Sequence, residues 1–254
     1  MTHSISLAPA ATDSFLRIPF QSDAPGAMPT AAVSLLSAGD LVIGASDGGS
    51  ARRRLLGRLG IAEERVCSLH QVHSMLVFSS DEIGYPETAR IASEIEGDGI
   101  VCPGGDAVLS VTVADCFPIF LADRRTGAFG IVHSGWRGTG IVVVALHRMA
   151  QDFGTFAEDV DAIAGPGIGP CCYNVPEERA ELFRSSYGEE CISVERGRSF
   201  LDLGRVNVSL LEAAGVHSVT RVANCTSCTP FLGSFRREGA GVYTHMLALI
   251  GHIG

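Results

Sequence analysis

His73, Cys116 and His133 are the residues whose types could do chemistry together. A thiol with two imidazoles is either a nucleophile with its base or a ligand set for a borderline-soft metal ion. His133 ends the apolar start of "GIVHSGWRG" (130 to 138), which continues into small residues, the only tryptophan, and Arg137. Cys116 sits in "VTVADCFPIF", where Pro118 removes a backbone donor and marks a bend at which the thiol can face a cleft. The turn "DRRTG" joins these two runs. Eight positions separate Cys116 from Arg124 and eight separate Arg125 from His133, so antiparallel pairing makes the two cross-strand neighbours within a residue or so.

The third member comes from "LHQVHSM". Read as a strand, it points His70 and His73 to opposite faces, with His73 on the more apolar face beside Leu69, Gln71, Met75 and Val77. Taken alone, His73 is a buried histidine with an ordinary hydrogen bond, and Cys116 is a small core residue. If the His73 strand lies alongside the other two, the set becomes His2Cys with a fourth position open, the pattern of catalytic zinc. Two other classes remain open at this point. One is a cysteine hydrolase or amidase, with Cys116 as thiolate, His133 as base and amides near Gly135 as an oxyanion site. The other is a non-enzymatic metal-binding module, which needs a fourth protein ligand.

Around the triplet, Asp115 and Asp98 are candidates for moving a proton at the substrate or for capping strand ends. Gln71, Asp98, Arg52 and Arg137 are candidate substrate contacts, the arginines and the "GPGIG" amides serving as an anion cradle or as plain ion pairs and turns. "FRREG" offers further basic residues with the same two readings. Cys171, Cys172, Cys225 and Cys228 read as buried structural thiols, because an adjacent pair does not easily converge on one ion and "CTSC" is the only CxxC.

The elements that position these residues alternate between strands and helices. "SARRRLLGRLGI" is a short amphipathic helix stopped at Gly60, and "VCSLHQVHSMLVF" is a strand. "GIVC", "AVLSVTVADCFPIFLA" and "AFGIVH" are strands of a central sheet covered on both faces. "TGIVVVALHRMAQDFG" is a helix with Ile141, Val144, Ala145, Arg148 and Met149 on one stripe and Gly154 as its stop. The second half adds the strand "DAIAG", helices in "PEERAELFRSSYG" and after Asp202, and the strand "SVTRVAN". Residues 1–30 read as a loosely ordered lead-in with one strand at "FLRIPF", and 31–254 as a single mixed α/β domain.

The 254 residues, 46% hydrophobic, suffice for a large core. A net charge of −9 lacks the basic face that nucleic acid requires, and no apolar run reaches the length of a membrane span. Without a secretory signal at the N-terminus, the expectation is a cytoplasmic protein with reduced cysteines.

"HQVHS", "GDGIV", "TVADCFPIFLAD", "IVHSGWRG", "GPGIGPCCY", "NCTSC" and "FRREG" occur in the order of the bacterial laccase-domain family, also called multicopper polyphenol oxidoreductases or purine nucleoside phosphorylases. The chain resembles that family from about Arg52 to Ile250. The resemblance implies His73, Cys116 and His133 as zinc ligands, and a mixed α/β (α+β) sandwich similar to the catalytic domain of a bacterial deamidating toxin. It also implies phosphorolysis of adenosine, inosine and methylthioadenosine, deamination of adenosine, and a purine nucleoside and phosphate as partners of a monomer or weak homodimer. Ala51, Thr244 and His245 replace the family's Asn, Gly and Arg. Copper-dependent polyphenol oxidation is the alternative the family name implies. Eight histidines with no His-X-His pair are a poor supply for a multicopper cluster, although a single Cu2+ can replace zinc in a His2Cys site.

Overall fold

Apolar side chains at every position of a strand require cover on both faces, and the strands Phe117–Asp123 and Phe129–Ser134 show where it comes from. They pair antiparallel at the middle of a seven-stranded mixed sheet. Its order is Thr2–Ile5, Ser218–Val222, Val160–Ala164, Phe117–Asp123, Phe129–Ser134, Gly99–Cys102, Val77–Ser79. Phe117, Ile119, Leu121 and Val132 face a core built with the helices Ile141–Phe153 and Leu203–Ala213, through Ala145, Met149, Val206 and Leu211. Phe120, Phe129, Ile131 and Ile163 point the other way, into a second core shared with Leu109, Val111, Met246 and Ile250.

Those last four belong to a five-stranded sheet ordered Phe15–Ile18, Thr30–Ser34, Met246–Gly251, Val108–Val113, Val66–Cys67. Its outer face carries Val108, Leu247 and Leu249, covered by Leu55 and Leu56 of the helix Ser50–Arg58. The result is a mixed α+β sandwich: helix, five-stranded sheet, seven-stranded sheet, helices. This computed structural model describes residues 2–21, 28–42, 49–85 and 92–253. No described helix is long and apolar enough to cross a membrane.

Four local expectations are corrected. The run "AVLSVTVADCFPIFLA" is two strands in two different sheets, broken at 114–116. "VCSLHQVHSMLVF" is three short strands, Val66–Cys67, Leu69–His70 and Val77–Ser79, with an irregular loop carrying His73. The lead-in holds the strand expected at "FLRIPF", Phe15–Ile18 paired with Thr30–Ser34, and also an unexpected one, Thr2–Ile5, that pairs parallel with Ser218–Val222. On the helix Ile141–Phe153 the buried stripe is Ile141, Val142, Ala145, Leu146 and Met149. Arg148 sits at the surface instead, 2.6 Å from both Glu82 and Asp152, where its charge remains hydrated.

Candidate active site

The chain passes from one sheet to the other between Val113 and Phe117, and this crossing presents Cys116. Asp115 makes the turn with φ +87, a left-handed backbone that a non-glycine residue holds only when its surroundings fix it. They do: the Asp115 carbonyl accepts from the Ile168 amide at 2.8 Å. Its two carboxylate oxygens accept from Thr226 Oγ1 and from the Arg236 amide, both at 2.6 Å. Asp115 therefore lines the cleft with its carboxylate already engaged, and acts as the tie between three loops.

Asp98 ties the other half of the site together. It is fully buried and accepts from the amides of Val72, His73 and Ser74, from Ser74 Oγ at 2.8 Å, and from His133 Nδ1 at 2.8 Å. The His133 amide also donates to the Asp98 carbonyl at 2.7 Å. This one carboxylate folds the "HQVHS" loop, holds His73 at φ +60, and sets the ring of His133 so that Nε2 is left for the cleft. Burial alone would raise the Asp98 carboxyl, but hydrogen bonds from His133 and Ser74 hold it at about 2.

His73, Cys116 and His133 offer donor atoms that all lie within 4.8 Å of one another. Cys116 Sγ is 3.9 Å from His73 Nε2, and the two imidazoles meet edge to face with centroids 4.7 Å apart. A tetrahedral ion with Zn–N and Zn–S bonds of about 2.1 and 2.3 Å needs donors roughly 3.3 to 3.6 Å apart, so a small contraction brings this set into coordination. Burial would push the Cys116 thiol up, but His133 and His73 outweigh it and hold the thiol at about 6. Burial would lower His133, yet the Cys116 thiolate and Asp98 raise it to about 9. Near neutrality the pair is thus a thiolate beside a protonated imidazole, so the soft donor is already anionic and a metal ion would have to displace the His133 proton.

Space at the triplet depends on Gly135. An added Cβ there would stand 2.9 Å from Cys116 Sγ and 3.1 Å from His73 Cδ2. This also corrects the pairing expected from the turn. Pro118 stands opposite His133 and Phe117 opposite Ser134, because the turn spans Asp123 to Ala128 and shifts the register by two residues. Cys116 therefore comes level with Gly135, and His133 still reaches it along the strand end.

The three donors open onto a cleft of about 610 Å³. Several expected substrate contacts are elsewhere. Arg52 is buried, donating to Ser68 Oγ at 2.7 Å and Ser110 Oγ at 3.2 Å, which makes it a strut of the outer layer. Asp98 lies beneath the triplet with its oxygens engaged. Arg137 is exposed, its guanidinium 5.1 Å from the Trp136 ring centroid, and it does not line the cleft. Gln71 does line it, but its amide clamps Thr112, accepting from N at 2.7 Å and donating to O at 2.8 Å. His73 is exposed at the cleft rather than on a buried strand face.

The cations that do line the cleft are Arg179, packed 3.9 Å over the Trp136 ring, and Arg236 from "FRREG", 5.7 Å from the Tyr173 ring centroid. Tyr173, Phe235, Tyr243 and His245 complete the wall, with His245 Nδ1 held 2.9 Å from Asp40. Arg179 gave no local signal, since it is one arginine in an ordinary helix start. Of the four further cysteines, Cys225 is buried as expected, but Cys172 is half-buried, Cys171 and Cys228 are exposed, and all four sulfurs cluster.

A family model described as multi-copper polyphenol oxidoreductase laccase matches residues 46–252. A Deinococcus radiodurans protein named purine nucleoside phosphorylase is 34% identical over 201 residues, 79% of this chain and 75% of its own length. The Mus musculus protein named purine nucleoside phosphorylase LACC1 is 32% identical over 52% of this chain, and the match spans only 33% of that longer relative. The crystal structure of YlmD from Geobacillus stearothermophilus superposes with a TM-score of 0.80 at 28% identity, covering 92% of this chain and 98% of that one. With four fifths of its length matched in one stretch, the chain belongs to the multi-copper polyphenol oxidoreductase laccase family.

Proposed function

We propose that this protein is a purine nucleoside phosphorylase acting on adenosine, inosine and methylthioadenosine, with Zn2+ held by His73, Cys116 and His133, and that the same site deaminates adenosine. One observation carries the reading: the His2Cys triplet opens onto a cleft walled by two arginines and by aromatic rings. The Deinococcus radiodurans relative's name supports it.

Each part of the wall matches a demand of the reaction. In phosphorolysis a phosphate oxygen bonds to the sugar C1′ as the C1′–N9 bond breaks. The electron pair passes to the purine, which takes up a proton. Arg179 and Arg236 supply charge-assisted hydrogen bonds for the phosphate, and Trp136 holds Arg179 flat against its face. Tyr173, Phe235 and Tyr243 offer ring faces and edges to the purine. His245, with Nδ1 on Asp40, has Nε2 left to exchange a proton with the base. In this reading the role falls to His245 rather than to Asp115 or Asp98, whose carboxylates are engaged by amides and side chains of the site itself. A bound Zn2+ supplies Lewis acidity and an open position for substrate or water. Cu2+ suits the same donors, but among the described residues no second histidine-containing cluster lies near the first to relay electrons. The amidase alternative leaves His73 without a task, although its ring stands against both catalytic partners.

The test is to incubate protein of known metal content with adenosine and inosine, with and without phosphate, and to separate the products. Phosphate-dependent free base and ribose 1-phosphate are expected. Inosine formed from adenosine without phosphate marks deamination. If neither appears, and Cys116→Ala matches the parent on these substrates, the nucleoside reading is wrong.

A further inference from the structure

We propose that Cys171, Cys172, Cys225 and Cys228 form a second metal site, a closed tetrathiolate for a structural Zn2+ ion, which clamps the loop at 167–173, part of the cleft wall, to the "CTSC" loop. The four Sγ atoms all lie within 4.8 Å of one another, with Cys172 to Cys228 at 3.2 Å and Cys171 to Cys228 at 3.6 Å. Four sulfurs at about 2.3 Å from a tetrahedral Zn2+ stand about 3.8 Å apart, inside the observed spread. A single disulfide would gather two of these sulfurs and give no reason for the other two to join them.

Adjacent cysteines converge here because the chain is not extended. In a strand, neighbours point to opposite faces. At 169–173 the chain turns instead, with the amides of Cys172 and Tyr173 both donating to the Gly169 carbonyl at 3.0 Å. The "CTSC" segment makes the matching turn, with the amides of Cys228 and Thr229 donating to the Cys225 carbonyl. The Gly169 amide donates to Cys225 Sγ at 3.1 Å, the kind of outer hydrogen bond that steadies a metal thiolate. A Cβ on Gly169 would press to 3.1 Å from Cys225 Cβ and 3.3 Å from Cys171 Sγ, so a glycine keeps the space in which the sulfurs meet. Four thiolates around a divalent ion leave a net negative charge. The Arg237 guanidinium is held on this loop, donating to the carbonyl of Thr226 within the "CTSC" turn and to that of Thr229 just after it.

The ligand count decides the role. All four positions are filled by protein, so no position is open to substrate and the site is structural. Its place in the fold gives it something to hold. Gly167 bridges to Cys225, Ile168 and Thr226 both hydrogen-bond Asp115, and Tyr173 follows Cys172 directly into the cleft wall. Asp115 precedes Cys116, so the clamp fixes the chain that presents the first site's thiol.

The experiment empties the first site and counts metal at the second, and nucleoside turnover does not enter. Full-length His73→Ala/Cys116→Ala protein, purified with reductant and exposed to excess Zn2+, should retain one equivalent per chain after gel filtration. Adding Cys172→Ser and Cys228→Ser should remove that equivalent. Substituting Co2+ in the first variant should give the intense thiolate-to-metal charge transfer and strong visible bands of a tetrahedral sulfur site. A thousandfold excess of Zn2+ over Kd should raise its Tm by roughly 10 °C, with no rise in the cysteine-to-serine variant. The proposal is overturned if the first variant retains no Zn2+. It is equally overturned if thiol-modifying reagents reach Cys171 and Cys228 at the same rate with and without the ion.

Discussion

Gly135→Ala puts a methyl group where the site has no room. Its Cβ would lie 2.9 Å from Cys116 Sγ and 3.1 Å from His73 Cδ2. Ordinary non-bonded contacts begin at about 3.5 to 4.0 Å, so the neighbours must retreat by about 0.4 to 1 Å. Neither moves freely. Cys116 is anchored between Asp115, tied to three loops, and Phe117, paired with Ser134; His73 hangs on the buried Asp98. Metal–ligand distances tolerate only about 0.2 Å, so the displacement is at least twice what coordination accepts. Outer contacts of metal sites are worth about 10- to 100-fold in affinity, and displacing two ligands directly should exceed the upper figure. Overpacking costs about 1–3 kcal/mol, which for a chain of this size lowers Tm by roughly 2–12 °C and leaves it folded. Competition against a chromophoric chelator measures the affinity, in parent and variant both carrying Cys172→Ser and Cys228→Ser so that only the triplet is read, and circular dichroism checks the fold. Gly57→Ala is the control: nothing lies within 4 Å of its added Cβ, it sits within the helix Ser50–Arg58, and its expected effect is a small gain in stability. If Gly135→Ala binds Zn2+ as tightly as the parent, the triplet is not the metal site.

Asp98→Asn keeps the shape but removes the charge that three amides and His133 Nδ1 address. Zn2+ affinity should fall about 10- to 100-fold, and an unchanged dissociation constant counts against Asp98 as the organiser. Arg179→Met should raise the KM for phosphate about 10- to 100-fold, whereas Arg137→Met, outside the cleft, should leave it within twofold; equal effects would remove Arg179 from the phosphate site. Glu238 accepts from the amides of Ser234 and Thr244 and from Arg237; burial would raise its carboxyl, but those donors outweigh it and lower it. A lowered carboxyl stabilises the fold above the ordinary carboxylate range and loses that contribution as pH falls through and below it. Glu238→Gln should therefore cost roughly 1.5–3 kcal/mol in urea melts at pH 7 and much less near pH 3. A gap that stays constant with pH would show that the charge is not what holds this loop.

The apolar runs at 117–123 and 129–134 were legible because a strand buried on both faces is continuous in sequence, and here two cores flank it. The triplet was legible through residue type and a strand-end count that tolerated a two-residue error, since His133 and Cys116 approach along the ends of two central strands as well as across them. Break points were harder to read. In "AVLSVTVADCFPIF" Pro118 and the charged Asp115 mark a bend, but nothing local shows that Asp115 adopts φ +87 and hands the chain to a second sheet. That conformation is imposed by Ile168, Thr226 and Arg236, which arrive from far along the sequence.

The same reasoning explains which polar residues were misplaced. Asp98 looked like a substrate contact because it is a carboxylate at the start of a strand, a description that fits equally a catalytic acid and a buried organiser. The partners that decide between them, Val72 to Ser74 and His133, lie about 25 and 35 positions away. Arg52 and Arg137 invite the opposite error, since a cation has the same sequence signature whether it props a layer on Ser68 and Ser110, lies exposed beside Trp136, or faces a ligand. The triplet could be picked out from sequence because few residue types other than Cys and His offer soft and borderline donors at such a site. The cleft wall was legible only in part: "FRREG" marked Arg236 as a cation of either use, whereas Arg179 and His245 carry no local signal and join it only through the tertiary fold around Asp115. The site is therefore a product of the crossing between the two sheets, and changes that loosen the crossing should disturb metal and substrate binding together.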